Sequence, residues 1–194
     1  EQILSILPER SFRGVFVALF MLFMKDNPTP HWGAKTPSNI FWINEIYQMF
    51  PKSKFIFLYR DGRDVSIDQV DAPWGPLNLH NACILWNHYI NAMIQSKTYL
   101  PRESFYELKY ENLVREPEKQ VRQLCGFLGE AYEPGMIESG QGGGDSFFKQ
   151  SQHLNAAKPM TDKFVGMDME LPIEDRQLQI AIMGNNLHRL GYAV

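Results

Sequence analysis

The chain is poor in the features that define several classes of protein. It has only two cysteines, Cys83 and Cys125, among 194 residues, which excludes a disulfide scaffold and a cysteine-ligated metal site. Its longest apolar run, Val15 to Met24, is too short to span a bilayer and lacks a signal-peptide cleavage pattern. A net charge of -3 argues against a general nucleic-acid binder. We expect no metal, no nucleic acid and no membrane insertion from this segment, and a cytoplasmic location.

The strongest positive signal is the apolar segment 54–59, which leads into residues 60–64, Arg-Asp-Gly-Arg-Asp. The apolar segment is typical of a buried strand in a parallel sheet. Ligands of open α/β sheets bind beyond the carboxyl ends of the strands, and a guanidinium group bonds phosphate or sulfate oxygens in pairs. This segment therefore predicts an anion site. Charge alone leaves an alternative open, in which the Arg-Asp pairs only cap the next helix.

The rest of the chain alternates helical and strand patterns. Apolar spacing and turn residues predict a second strand at 105–109, and helices at about 12–24, 38–49, from 62 onward, 78–98, from 117 and 173–189. Pro117 suits the first position of its helix and Gly129 suits the cap at its end. Strands that alternate with helices indicate an α/β fold with a central parallel sheet. We expect one domain over residues 1–194.

Four motifs follow one another along the chain. They are residues 32–37 (Trp-Gly-Ala-Lys-Thr-Pro), 50–65 (Phe-Pro-Lys-Ser-Lys onward through the arginine motif), 110–118 (Tyr-Glu-Asn-Leu-Val and Glu-Pro-Glu) and 190–192 (Leu-Gly-Tyr). In this order they resemble the PAPS-dependent sulfotransferase family. Its members transfer a sulfonate group from 3'-phosphoadenosine 5'-phosphosulfate (PAPS) to a hydroxyl or amine. The tail 142–166 resembles the tyrosylprotein sulfotransferase branch and related bacterial enzymes. The resemblance implies a P-loop-type sulfotransferase fold.

The resemblance also implies residues that hold the donor nucleotide. Arg60 matches the family arginine that binds the 3'-phosphate of PAPS or of the product PAP, and Tyr110 matches the tyrosine that contacts the adenine. Lys163 matches a tail lysine that contacts the phosphates in the tyrosylprotein branch. Ser151 and Lys158, in the same tail, are further candidates for nucleotide binding. For Tyr110, a tyrosine that merely finishes a strand against the core is the alternative.

One position departs from the family pattern at the 3'-phosphate. A serine usually follows the arginine by eight residues and donates its hydroxyl to the phosphate, whereas this chain has Asp68 there. A carboxylate would repel a phosphate dianion, more strongly if the site excludes water. Ser66 stands two residues earlier and would face another side of the helix. The substitution puts tight binding of PAPS in question.

The catalytic residues that the resemblance implies lie before the first strand. Lys35 matches the lysine that contacts the transferring sulfonate, where negative charge on the leaving oxygen calls for a cation. Pro37 stands where the cytosolic branch has a histidine base, so that mechanism is excluded. His31 is the local candidate for a base, although a histidine beside Trp32 is more often structural.

Family members also carry a strand and a basic, Gly-, Ser- and Thr-rich turn that hold the 5'-phosphosulfate. Nothing before Trp32 resembles this loop, and the Gly-rich stretch 139–146 lacks the lysine that would follow in such a loop. That stretch is more typical of a mobile lid or a disordered loop. Because the chain opens on Glu1 rather than methionine, we expect an N-terminal truncation, or the loss of half of the donor site.

Two functional hypotheses remain open at this point. The first is an enzyme that transfers a sulfonate group from PAPS, without a metal, to a hydroxyl of a protein tyrosine, a carbohydrate or a small molecule, with a homodimer as a further expectation. The second is a catalytically inactive binding or interaction module that keeps the sulfotransferase fold. Asp68 and the missing loop favour the second, and the order of the four motifs favours the first.

Overall fold

The computed structural model describes residues 6–26, 31–138 and 160–194. The chain forms two compact units, residues 1–53 and residues 54–194. The expectation of one domain over residues 1–194 stays a prediction. Of the described helices, none combines the length and apolar character needed to cross a membrane.

The first unit contains two α-helices, α1 (Phe12–Asp26) and α2 (Ile43–Met49). Helix α1 begins after Ser11, whose hydroxyl accepts the N–H of Gly14 at 3.0 Å and so satisfies one of the free donors of the first turn. The prediction of one continuous helix over 38–49 is wrong in its first half, because Pro37–Trp42 forms a 3-10 helix. Such tighter turns are common where an α-helix starts.

The second unit is built on two paired strands, β1 (Phe55–Tyr59) and β2 (Phe105–Lys109). The strands run parallel, with Phe55 opposite Phe105 and Tyr59 opposite Lys109. Phe57 and Leu108 are buried, whereas Ile56 and Leu58 keep 41% and 57% of their surface exposed. Both predicted strands are confirmed, but the expectation that β1 is a buried strand is wrong for the face that carries Ile56 and Leu58.

Helices flank this sheet, as the α/β expectation required. They are α3 (Gly62–Asp71), α4 (Leu79–Ser96), α5 (Tyr110–Arg115), α6 (Pro117–Leu128) and α7 (Ile173–Arg189). Pro117 and Gly129 hold the predicted positions, and Gly129 adopts the left-handed φ of 83° that favours glycine at a helix end. Cys83 and Cys125 are both free and buried.

Helix α4 packs between α3 and α7 and supplies much of the core. Its buried side chains include Trp86, Ile90 and Met93. Side-chain amides cross the α4–α7 contact, because Asn186 donates to the amide oxygens of Asn87 and Asn91 at 2.9 and 3.0 Å. Paired polar groups of this kind fix one relative position of two helices, since any shift leaves a buried amide without its bond.

The start of α3 is packed too closely to accept a larger residue at Gly62. A Cβ added there would lie 2.5 Å from the ring of Trp86, which is only 4% exposed and cannot turn away. We expect Gly62→Ala to lower the free energy of unfolding by about 1–3 kcal/mol, measured by urea denaturation.

Gly126→Ala is the matched control, because Gly126 also lies in a helix but has no atom within 4 Å of the added Cβ. We expect this substitution to stabilise the protein by about 0.5–1 kcal/mol, through the higher helix propensity of alanine. Equal effects of the two substitutions would show that the contact with Trp86 does not constrain α3.

Candidate nucleotide site

The ends of the two strands bring Arg60 and Tyr110 together. Arg60 follows the last residue of β1 and Tyr110 follows the last residue of β2, and these last residues are paired in register. The Arg60 guanidinium lies over the Tyr110 ring, with its central carbon 5.3 Å from the ring centroid. A cation over an aromatic face is an attractive pairing. The two residues expected to hold opposite ends of a nucleoside 3'-phosphate are therefore neighbours.

Most donors of the Arg60 guanidinium are taken up by the chain itself. Nη1 donates to the carboxylate of Asp68, and Nη2 donates to the carbonyl oxygen of Phe164. Nη2 also lies 3.5 Å from the sulfur of Met167 and 3.8 Å from a carboxylate oxygen of Asp64. The Arg60 side chain is 14% exposed, and Asp68 is 42% exposed. The buried Nε has no hydrogen-bond partner among the described residues.

Asp64 connects the segment after residue 160 to helix α3 through hydrogen bonds. Its carboxylate is almost fully buried and accepts the N–H of Gly166 at 2.9 Å and the N–H of Asp168 at 3.3 Å. Burial raises the pKa of Asp64, although these two hydrogen bonds and Arg60 act in the opposite direction. Because Gly166 has a φ of 82°, the backbone can turn here and present both N–H groups to one carboxylate.

The same segment also contacts Tyr110. The Tyr110 hydroxyl donates to the carbonyl oxygen of Thr161 at 3.3 Å, and the Thr161 hydroxyl accepts the N–H of Lys163 at 3.2 Å. The Lys163 side chain is exposed. The backbone that carries Lys163 is thus tied to Tyr110. Ser151 and Lys158, with the Gly-rich stretch 139–146, lie outside the described residues.

The arginine motif divides into two parts with different functions. Asp61 caps helix α3 by accepting the N–H of Arg63 at 2.9 Å, and it binds the Arg63 guanidinium at 2.6 and 3.0 Å. The Asp61–Arg63 pair is therefore the helix cap that the alternative interpretation described. Arg60 has no part in that cap and keeps its place beside Tyr110 as the candidate anion ligand.

A buried carboxylate that sequence reasoning missed holds the two strand ends together. Glu111, only 5% exposed, accepts the backbone N–H of Asp61 at 2.8 Å and the hydroxyl of Tyr192 at 3.0 Å. The signal that could have found Glu111 is its position: it is the second residue after β2, as Asp61 is the second residue after β1. Paired parallel strands place such residues side by side.

The candidate catalytic residues belong to the first unit. His31 and Lys35 are exposed and flank a segment held by Trp32, whose ring stacks on Phe20 with 3.8 Å between centroids and an angle of 15°. Phe50 meets the same indole edge-on at 5.6 Å. Trp32 is thus an anchor for residues 31–36, and the roles of His31 and Lys35 stay predictions.

The residues around Arg60 suit an adenosine nucleotide in part. The Tyr110 ring offers an aromatic face for a base. The Nη1 of Arg60 already donates to Asp68, and the unpartnered Nε is buried, so neither is open to a phosphate. Ser66 cannot help, because it is fully buried, donates to the carbonyl of Arg63 at 2.9 Å and accepts from Gln179 at 3.0 Å. In the described ranges, no group of three or more His, Cys, Asp or Glu is placed to hold a metal ion.

Comparison with known proteins decides the family. The family model described as "Sulfotransferase family" matches residues 8–134, which is more than half of the chain. The chain belongs to the sulfotransferase family. The chain is 28% identical to protein-tyrosine sulfotransferase 1 of Danio rerio over 172 residues, which cover 81% of the chain and 47% of that protein. The expected resemblance is confirmed.

Solved structures show the same fold. The sulfotransferase domain of the Synechococcus PCC 7002 olefin synthase matches 91% of the chain with a TM-score of 0.70, and 64% of that domain is covered. The sulfotransferase domain from the curacin biosynthetic pathway matches the whole chain, 100%, with a TM-score of 0.62 over 78% of that domain. Both are 15% identical in sequence. The chain spans about half or less of the length of the curated relatives it matches.

The buried hydrogen bond between Tyr192 and Glu111 predicts that the stability of this chain is sensitive to alkaline pH. Burial and the neighbouring Glu111 raise the pKa of Tyr192 above its ordinary value of 10.0. The stabilisation from the neutral phenol is complete below the unfolded-state pKa and is lost as the pH rises above it, because only the unfolded chain then releases the proton easily.

We expect the free energy of unfolding of the wild type to fall more steeply than that of Tyr192→Phe between about pH 9 and about pH 11. Below pH 9 the variant should be less stable by about 1 kcal/mol, since it lacks the hydrogen bond. Urea denaturation at a series of pH values measures both effects. Parallel pH profiles would mean that the phenol of Tyr192 is not held neutral by the fold.

Proposed function

We propose that this chain transfers a sulfonate group from PAPS to a hydroxyl group of an acceptor, with Arg60 and Tyr110 binding the adenosine end of the donor. The observation that carries this proposal is the guanidinium of Arg60 over the ring of Tyr110, at the carboxyl ends of two paired parallel strands. Ligands of open α/β sheets bind at that edge. Membership of the sulfotransferase family supports the reaction type.

Each residue of this arrangement has a distinct task in the proposal. Arg60 would offset the charges of Asp64 and Asp68 beside the nucleotide, and Tyr110 would offer its ring to the base. Lys163 is exposed on a segment tied to Tyr110 and would add a second cation. When bound, PAPS would supply the sulfonate group and leave as PAP. Asp64 and Glu111 do not need to touch the nucleotide, because they position the backbone around it.

Lys35 is the proposed catalytic cation, and His31 the proposed base. In an in-line transfer, negative charge builds on the oxygen that leaves sulfur, and an ammonium group stabilises it. The names of the curated relatives, protein-tyrosine sulfotransferases, support a tyrosine hydroxyl as the first acceptor to test. A cytoplasmic location and a homodimer stay predictions.

Binding of PAP to the intact protein tests the donor site. We expect Arg60→Ala to weaken PAP binding by about ten- to a hundredfold in isothermal titration calorimetry, because Asp64 and Asp68 would then lie beside the nucleotide without the cation that offsets their charge. Arg122→Ala is the matched control, since Arg122 is 56% exposed and pairs with Glu118 on helix α6. Equal affinities of the wild type and Arg60→Ala would remove Arg60 from the nucleotide site.

The rate of sulfonate transfer tests the catalytic lysine. With PAPS and a tyrosine-containing peptide, we expect Lys35→Ala to lower kcat by about a hundredfold or more while the affinity for PAP changes little, because the charge acts on the transition state. Lys52→Ala, an exposed lysine of the same unit, should leave kcat unchanged. An unchanged kcat in Lys35→Ala would refute this role. PAP binding by a wild type that transfers sulfonate to no peptide, carbohydrate or phenol would favour the binding module.

A further inference from the structure

The carboxylate of Asp68 occupies the donor that a phosphate would need. Nη1 of Arg60 donates to Asp68, and Nη2 is taken by the carbonyl oxygen of Phe164. A second carboxylate, Asp64, lies 3.8 Å from Nη2. One guanidinium charge is thus shared between two carboxylates. A phosphate dianion would meet an arginine that is already neutralised, with further negative charge beside it.

The fold itself gives little reason for an aspartate at this position. Asp68 lies near the end of helix α3 (Gly62–Asp71), where the partial negative charge of the helix disfavours an acidic side chain. Its side chain is 42% exposed, so it fills no gap in the core. Its described partner is Arg60. The aspartate is therefore explained by what it does to the guanidinium, at a surface that a ligand can reach.

An acidic residue and a free arginine favour different groups on the ribose of a nucleotide. In dinucleotide sites a carboxylate accepts hydrogen bonds from a ribose hydroxyl, whereas an arginine accommodates a ribose phosphate. Here the carboxylate of Asp68 pairs with the arginine and is the more exposed of the two side chains, so the group that a ligand can reach is a hydroxyl acceptor.

We infer that Asp68 is a specificity-determining residue, which removes the preference of this site for a 3'-phosphate and admits adenosine nucleotides with a free 3'-hydroxyl. This inference rests on the proposed function, because it assumes that the adenosine end of the donor lies at Arg60 and Tyr110. PAPS remains a donor, but its 3'-phosphate adds little to its affinity. Adenosine 5'-phosphosulfate, which has the 3'-hydroxyl, belongs to the class of donors that the site accepts.

Two nucleotides that differ only in the 3'-phosphate test the inference. Isothermal titration calorimetry of the intact protein with PAP and with adenosine 5'-monophosphate gives the ratio of the two affinities. We expect the wild type to bind both within about threefold, and Asp68→Ser to bind PAP at least about tenfold more tightly than the monophosphate. Asp68→Asn keeps the shape of the side chain and should shift the ratio in the same direction.

Asp71→Ser is the control for net charge, because it makes the same change one turn further along helix α3, at an exposed residue. The ratio of its affinities for PAP and for adenosine 5'-monophosphate should equal that of the wild type. A wild type that binds PAP about tenfold more tightly than the monophosphate, or a ratio unchanged in Asp68→Ser, overturns the inference and leaves the donor site standing. Absence of binding by both nucleotides, in the wild type and in Asp68→Ser, overturns the proposed function as well.

Discussion

The carboxylate of Glu111 is the constraint on which the site depends. It accepts the N–H of Asp61, which follows β1, and itself follows β2, so it joins the two strand ends across the sheet. Its second oxygen accepts the Tyr192 hydroxyl near the end of the chain. A buried carboxylate bound by two donors leaves little freedom to either strand end. Arg60 directly precedes Asp61, and Tyr110 directly precedes Glu111. The hydrogen bond between Asp61 and Glu111 therefore fixes the positions of Arg60 and Tyr110.

Local patterns in the sequence predicted most of the fold. Apolar spacing and turn residues marked the strand at 105–109 and the last helix at Ile173–Arg189, because both signals depend on neighbouring residues only. The 3-10 helix Pro37–Trp42 was predicted as α-helix. The choice between the two helices depends on which carbonyl each N–H finds, and side-chain periodicity over six residues does not distinguish them.

The candidate site was predicted less completely, for a physical reason. Family motifs pointed to Arg60, Asp68 and Tyr110, but not to the pairing of Arg60 with Asp68 or to its backbone partner. Its Nη2 donates to the backbone oxygen of Phe164, 104 residues further along the chain. Every residue has a carbonyl oxygen, so no sequence pattern marks this acceptor. The same is true of the N–H groups of Gly166 and Asp168, which bind the buried Asp64. That Asp68 opposes phosphate stays a prediction from charge repulsion, and the structure shows that its carboxylate pairs with Arg60.

The packing of Trp86 makes its fluorescence sensitive to the candidate site. Its indole N–H donates to the carbonyl oxygen of Arg60 at 3.3 Å, and its ring lies against Gly62. The other three tryptophans, Trp32, Trp42 and Trp74, are exposed by 41%, 60% and 70%, whereas Trp86 is exposed by 4%. Emission at the blue edge of the spectrum therefore comes mainly from the one indole that touches the backbone of the candidate site. A ligand that moves Arg60 changes the surroundings of that indole, so the native chain can signal occupancy without a label.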